Sequence, residues 1–130
     1  QRRIAQGLRS DWLGEWMAAA RWKIAQGQTS SVVGTLQSKL VNHPMDPELW
    51  ALLAQAREAQ GQTLRAMRAR AEVQFAQGNV AGALDHILAA KAWSAAHPQV
   101  DPIEAQVVLT RERIFRQTLA RCAADQPDAC

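Results

Sequence analysis

The chain has 130 residues, 48% of them apolar and 21% charged, with a formal net charge of +3. That length suits one domain built on one continuous core. No apolar run approaches the ~20 residues of a membrane span. Fifteen cationic side chains interleave with twelve acidic ones, which describes a solvated surface rather than the concentrated basic face of a nucleic-acid binder.

Ala and Gln are abundant and Tyr is absent, a balance that favours helix over sheet. The chain opens on Gln1-Arg2-Arg3 and shows no export signal, so it reads as a piece of a longer precursor. The missing signal then says nothing about where the parent resides.

Six helices are predicted from their punctuation. Asp11 can cap the first, which runs to about Gln26 before Gly27. Thr29 or Ser30 can cap the second, which stops near Asn42, ahead of Pro44. Asp46-Pro47-Glu48 starts the third: Asp offers a cap oxygen, Pro needs no partner for a missing amide hydrogen, and Glu suits the positive helix end. Gly61 ends that helix, a fourth runs from Thr63 to about Gln77, and Gly78-Asn79 separates it from a fifth that fades at Ala96, before Pro98. Asp101-Pro102-Ile103-Glu104 repeats the start signal, with Glu104 placed to complete a capping box, and the sixth helix continues to about Arg121. Residues 122–130 are left as a flexible tail.

Apolar spacing marks the buried faces. Leu64, Met67, Ala71 and Phe75 follow three- and four-residue steps in the fourth helix. Val80, Leu84, Ile87 and Leu88 do so in the fifth, and Val108, Phe115 and Leu119 in the sixth, flanked by Val107 and Ile114. The short connections place neighbouring helices side by side and antiparallel.

A period organises these helices. Trp16 and Trp50, Ala20 and Ala54, and Gly27 and Gly61 are each 34 residues apart. That is the length of a tetratricopeptide repeat, which carries a large aromatic at position 4 and small residues at positions 8 and 20. Units beginning at Leu13 and Pro47 place Trp16 and Trp50 at position 4, Ala20 and Ala54 at 8, and Gly27 and Gly61 at 15. A third unit from Leu64 gives Met67, Ala71, Gly78, Ala83, Ile87 and Ala90 at positions 4, 8, 15, 20, 24 and 27. Thr63–Gln77 then serves both as the second helix of one unit and as the first of the next, and the sixth helix closes the stack. The expected fold is an all-α solenoid of antiparallel helix pairs. Lys23 and Arg57 depart from the pattern at position 11, where Tyr is usual.

Catalytic chemistry finds little footing. His43 and His97 each precede a Pro at a helix exit, a place suited to capping the last carbonyls, and His86 has no second His a turn away. Ser30 and Ser31 stand at a helix start, without the Gly-x-Ser-x-Gly elbow of a nucleophile. Gly78-Asn79-Val80-Ala81-Gly82 has neither the spacing nor the Lys of a phosphate loop. Cys122 and Cys130 leave two readings open, a disulfide formed in an oxidising compartment or two unpaired thiols on a frayed end. Trp16 and Trp50 belong to the core by their repeat position; for Trp12, Trp22 and Trp93 packing is the preferred role over a partner-facing surface.

The segment Ala71-Glu72-Val73-Gln74-Phe75-Ala76-Gln77-Gly78, followed by Ala83-Leu84 and Ile87, resembles the C-terminal tetratricopeptide domain of bacterial periplasmic zinc metallopeptidases of the β-barrel-assembly-enhancing type. The likeness covers about residues 13 to 121, with Arg111, Arg113, Ile114 and Arg116 matching a final Arg-rich helix. The resemblance implies a non-catalytic, periplasmic protein-binding module that works with outer-membrane assembly machinery or with the parent's own protease domain. The peptidase motif His-Glu-x-x-His does not occur here, so zinc is expected only in a protease domain of the parent, and no catalytic, cofactor or metal residue is assigned. The other reading is a free-standing adaptor or assembly lipoprotein with no protease attached.

In such stacks the first helix of each unit lines the inner surface through positions 2, 5, 9 and 12, which places Met17, Arg21, Ile24, Glu48, Gln55, Glu58, Arg65, Arg68, Glu72 and Phe75 in the groove. The expectation is an extended peptide gripped through an acidic group by Arg21, Gln55 and Arg68, with Met17 and Phe75 as apolar anchors.

Overall fold

The computed structural model describes the backbone of residues 2–126, 128 and 130, and the side chains from residue 14 onward. It is all-helical, with no strand among the described residues. The six helices are α1 (Arg2–Ala25), α2 (Thr29–Asn42), α3 (Pro47–Ala59), α4 (Thr63–Ala76), α5 (Val80–Ala96) and α6 (Pro102–Asp125). Each packs against its neighbour in sequence, so the molecule is a helical-repeat solenoid.

The glycine turns show why a 34-residue period exists. Gly27, Gly61 and Gly78 have φ of 80°, 72° and 84°, a left-handed backbone that an L side chain resists. Around each, the same two bonds close the preceding helix. Gln28, Gln62 and Asn79 donate to the carbonyls of Lys23, Arg57 and Gln74 at 2.9 Å, while each glycine donates to the carbonyl three residues before it. This double bond satisfies carbonyls that the helix end orphans. One local device, repeated, closes α1, α3 and α4.

The Asp-Pro starts also behave as read. Asp46 accepts from the amides of Glu48 (3.0 Å) and Leu49 (3.3 Å), and Asp101 from that of Ile103 (2.9 Å). Elsewhere the punctuation differs. Helix α1 is continuous from Arg2 through Asp11, so Asp11 does not begin it. Helix α2 begins at Thr29 after Gln28 with no side-chain cap, and Ser31 instead donates to the Gln28 carbonyl (3.1 Å). Asn79 caps α5 by accepting from Gly82 (2.9 Å). Helix α6 passes Arg121 and ends at Asp125, and a disulfide joins Cys122 to Cys130, whose carbonyl accepts from Ala81 near the start of α5 (3.1 Å).

The buried residues fall into two clusters rather than one continuous core. The first joins α1–α3 through Met17, Ile24, Leu36, Leu40, Leu49 and Leu53; the second joins α4–α6 through Leu64, Ile87, Val108 and Phe115. Between them α3 and α4 pair closely and bury Ala54, Ala66 and Ala69. Small side chains let these two backbones approach but add little bulk, so the core divides at this seam. The long-range order agrees. Helix α1 touches α3 and α4 touches α6, while α3 and α5 make no contact among the described residues. Helix α4 thus resembles a first helix of a pair as well as a second, as the overlapping repeat requires. In α5 the innermost residues are Ala83, Ile87 and Ala90, with Leu84 and Leu88 only half-buried, again because small residues face a close neighbour.

Candidate functional site

Where the two halves meet, α2, α3, α4 and the first turn of α6 enclose an open cleft of about 650 Å³. Leu40, Val41, Leu53 and Trp50 form its apolar wall. Val41 is 80% exposed, which is unusual for a valine beside a core leucine. Arg57, Arg65 and Arg68 also line the cleft, and among the described residues Glu104 is the one carboxylate that does.

The local sequence sets these positions. Trp50, Leu53 and Arg57 recur at steps of three and four along α3, hence on one face, and Arg65 and Arg68 do the same on α4. Trp50 is half-buried and donates from its indole nitrogen to the Pro44 carbonyl (2.8 Å), which ties the ring to the α2–α3 turn. The Arg68 guanidinium lies 5.3 Å from the Trp50 ring centre, within cation–π range.

The three arginines are unequally compensated. Arg65 pairs with Asp101 at 2.8 Å and, through Nε, with Glu104 at 3.6 Å. Arg68 Nε lies 3.9 Å from both Glu72 and Glu104, and that buried nitrogen has no hydrogen-bond partner. Arg57 donates only to neutral amides, Gln62 at 2.8 Å and Gln60 at 3.5 Å. Burial, followed by repulsion from Arg65 and the smaller repulsion from Arg68, lowers its pKa, while Glu104 acts in the opposite sense. An arginine held among like charges keeps its proton and attracts an anion instead.

The residues expected to form a groove separate into three groups. Arg65 and Arg68 line the cleft. Glu72 and Phe75 lie further along α4, in the seam with α6: Glu72 is 3% exposed and accepts from Arg111 (2.8 Å), and Phe75 stacks on Phe115 with ring centres 4.8 Å apart. Arg111 also stands over both rings, at 5.5 and 5.0 Å, so these groups fasten α6 to α4. The third group is outside the cleft. Met17 is 1% exposed and Ile24 7%, both packed in the first cluster, so neither can anchor a peptide. Arg21 is exposed on α1, none of whose described side chains lines the cleft. Gln55 is exposed on α3 two residues from Leu53 and Arg57, which turns it to the opposite side of that helix.

Arg57, Trp50 and Glu104 are cleft residues that the groove positions did not include. Arg57 does carry a sequence signal, since it is the arginine that replaces the usual Tyr at position 11. Glu104 does not complete a capping box; its carboxylate turns to Arg65 and Arg68 instead. Of the less constrained tryptophans, Trp22 is 61% exposed rather than packed, Trp93 stacks on His97 (3.9 Å between ring centres), and the side chain of Trp12 lies outside the described residues.

Among the described residues no three His, Cys, Asp or Glu side chains gather as a ligand set. His86 and His97 each donate a ring N–H to the carbonyl four residues earlier, Gly82 and Trp93, at 2.8 Å. Among the described residues no helix is long and apolar enough to cross a membrane. Comparison with protein-family models, with curated proteins and with solved structures finds no match to this chain.

Proposed function

We propose that this chain is a protein-interaction module of the tetratricopeptide kind, whose cleft between the two halves holds an extended acidic segment of a partner. The observation that carries this reading is the grouping of Arg57, Arg65 and Arg68 beside Trp50, Leu40 and Leu53, with Glu104 as the one lining carboxylate among the described residues. A guanidinium binds a carboxylate through paired N–H donors, and an aromatic wall adds contact area at low entropic cost. Arg57 supplies the least compensated charge.

The setting follows from the resemblance of residues 71–87 to the C-terminal domain of periplasmic zinc metallopeptidases. The Cys122–Cys130 disulfide supports an oxidising compartment such as the periplasm. In that setting the module presents substrates to a preceding protease domain or docks on outer-membrane assembly machinery. Any zinc chemistry belongs to that preceding domain.

Titration with a fluorescein-labelled oligoglutamate peptide tests the cleft. Arg57→Gln should weaken binding about tenfold, the worth of one hydrogen bond to a charged group. Arg21→Gln, which removes the same charge from α1, should leave binding unchanged. Equal losses in the two variants would reduce the effect to net charge and overturn the assignment.

A further inference from the structure

The cleft already contains a carboxylate. Glu104 is the third residue of α6, where its ordinary role would be to accept from the backbone at its own helix start. Instead it reaches back to the cleft and sets one oxygen near each of two α4 arginines, Oε2 at 3.6 Å from Arg65 Nε and Oε1 at 3.9 Å from Arg68 Nε. Both separations exceed a hydrogen bond. Arg65 makes its close contact with Asp101, and Arg68 Nε stays without a hydrogen-bond partner although buried. Glu104 is therefore attracted by both cations and bonded closely to neither. Among the charges acting on Arg57, Arg65 and Arg68 repel it and Glu104 attracts it, so the same carboxylate serves all three.

We infer that Glu104 is an internal stand-in for the partner's acidic group: it occupies the arginine cluster loosely in the free protein and is displaced when an acidic segment enters. This inference rests on the cleft being the binding site. Two long ion pairs at a partly exposed site are each worth little, whereas an incoming carboxylate can adopt the short paired geometry that Glu104, tied to its helix, does not reach. The cleft then discriminates by charge. A neutral or basic segment cannot replace Glu104 and meets an ion pair that costs desolvation to break, while a segment with an acidic side chain exchanges with it. After displacement the Arg65–Asp101, Arg111–Glu72 and Phe75–Phe115 contacts keep α6 docked on α4. Glu104 acts here as a specificity-setting residue.

The test compares oligoglutamate binding by the full 130-residue chain and by its Glu104→Gln form. Glutamine keeps the shape and removes the charge, so binding should tighten about tenfold, the loss of two weak competing pairs. Asp85→Asn, at an exposed position of α5 that does not line the cleft, changes the net charge equally and should alter affinity little. Unchanged or weaker binding in Glu104→Gln, with the Arg57→Gln loss intact, would overturn the stand-in role and leave the cleft reading standing. Absence of oligoglutamate binding in every form would remove both. Should Glu104→Gln fail to fold, the side-chain carboxyl carbon of Glu104 in the unaltered chain gives the answer by nuclear magnetic resonance. A peptide-dependent shift there supports displacement, and a resonance that does not move while the cleft arginines respond refutes it.

Discussion

Replacing Trp50 by Ala probes the joint between core and cleft. Truncating a fully buried Trp costs about 3–5 kcal/mol. Trp50 is only half-buried at the edge of the first cluster, so its transfer and cavity share is nearer 2 kcal/mol. The lost bond from its indole nitrogen to the Pro44 carbonyl adds roughly 1 kcal/mol, and the contact with Arg68 about 0.5 kcal/mol. The sum is about 3.5 kcal/mol. Trp50→Phe keeps an apolar ring and loses the donor, which should cost closer to 1 kcal/mol. Urea unfolding followed by far-ultraviolet circular dichroism reads both variants without relying on the missing fluorophore. A Trp50→Ala loss below about 1 kcal/mol would show that the ring is an appendage of the cleft and not part of the packing.

Four further substitutions probe separate parts of the account. Gly61→Ala should destabilise by about 1–2 kcal/mol through its φ of 72°, since a Cβ there meets no neighbouring atom, whereas Gly34→Ala inside α2 should stabilise by about 0.5–1 kcal/mol; like signs in denaturant unfolding would refute the turn argument. Phe115→Ala, at a fully buried ring stacked on Phe75, should cost about 3–5 kcal/mol, and a small change in melting temperature would mean that α6 is not integral to the stack. The Glu112 pKa is depressed, first by its hydrogen bond to Lys91 and next by that to Arg116, against the opposing effect of burial. Its contribution is complete above the ordinary glutamate value of 4.5 and is lost as the pH falls through the lower folded-state value. Glu112→Gln should therefore flatten the acid side of a stability–pH profile, and parallel profiles would contradict the pairing.

What was legible in the sequence is what local chemistry decides. Gly27, Gly61 and Gly78 announce their turns because a left-handed residue is a local demand, and Asp46-Pro47 and Asp101-Pro102 announce helix starts for the same reason. Asp11 misled because a cap residue is informative only where the preceding chain is not itself helical, and residues 2–10 are. Glu104 misled because a local capping bond competes with tertiary charges that sequence does not display. Met17 misled because repeat numbering assigns a face by analogy, whereas in α1 the stripe Met17, Ala20 and Ile24 packs into the first cluster. The cleft itself was the least legible feature. It depends on Leu40 and Glu104, 64 residues apart, being brought to one opening by the seam between α3 and α4.

Photocrosslinking tests the central claim directly, because it reports where an acidic segment lies on the protein. An oligoglutamate peptide carrying a benzophenone group would be irradiated with the chain, and the attachment sites found by mass spectrometry. The account predicts adducts on Leu40, Val41 and the Trp50–Arg57 face of α3, suppressed by Arg57→Gln. Adducts confined to Trp22 on α1, or to the exposed strip of α6 at Ile103 and Leu109, would contradict it.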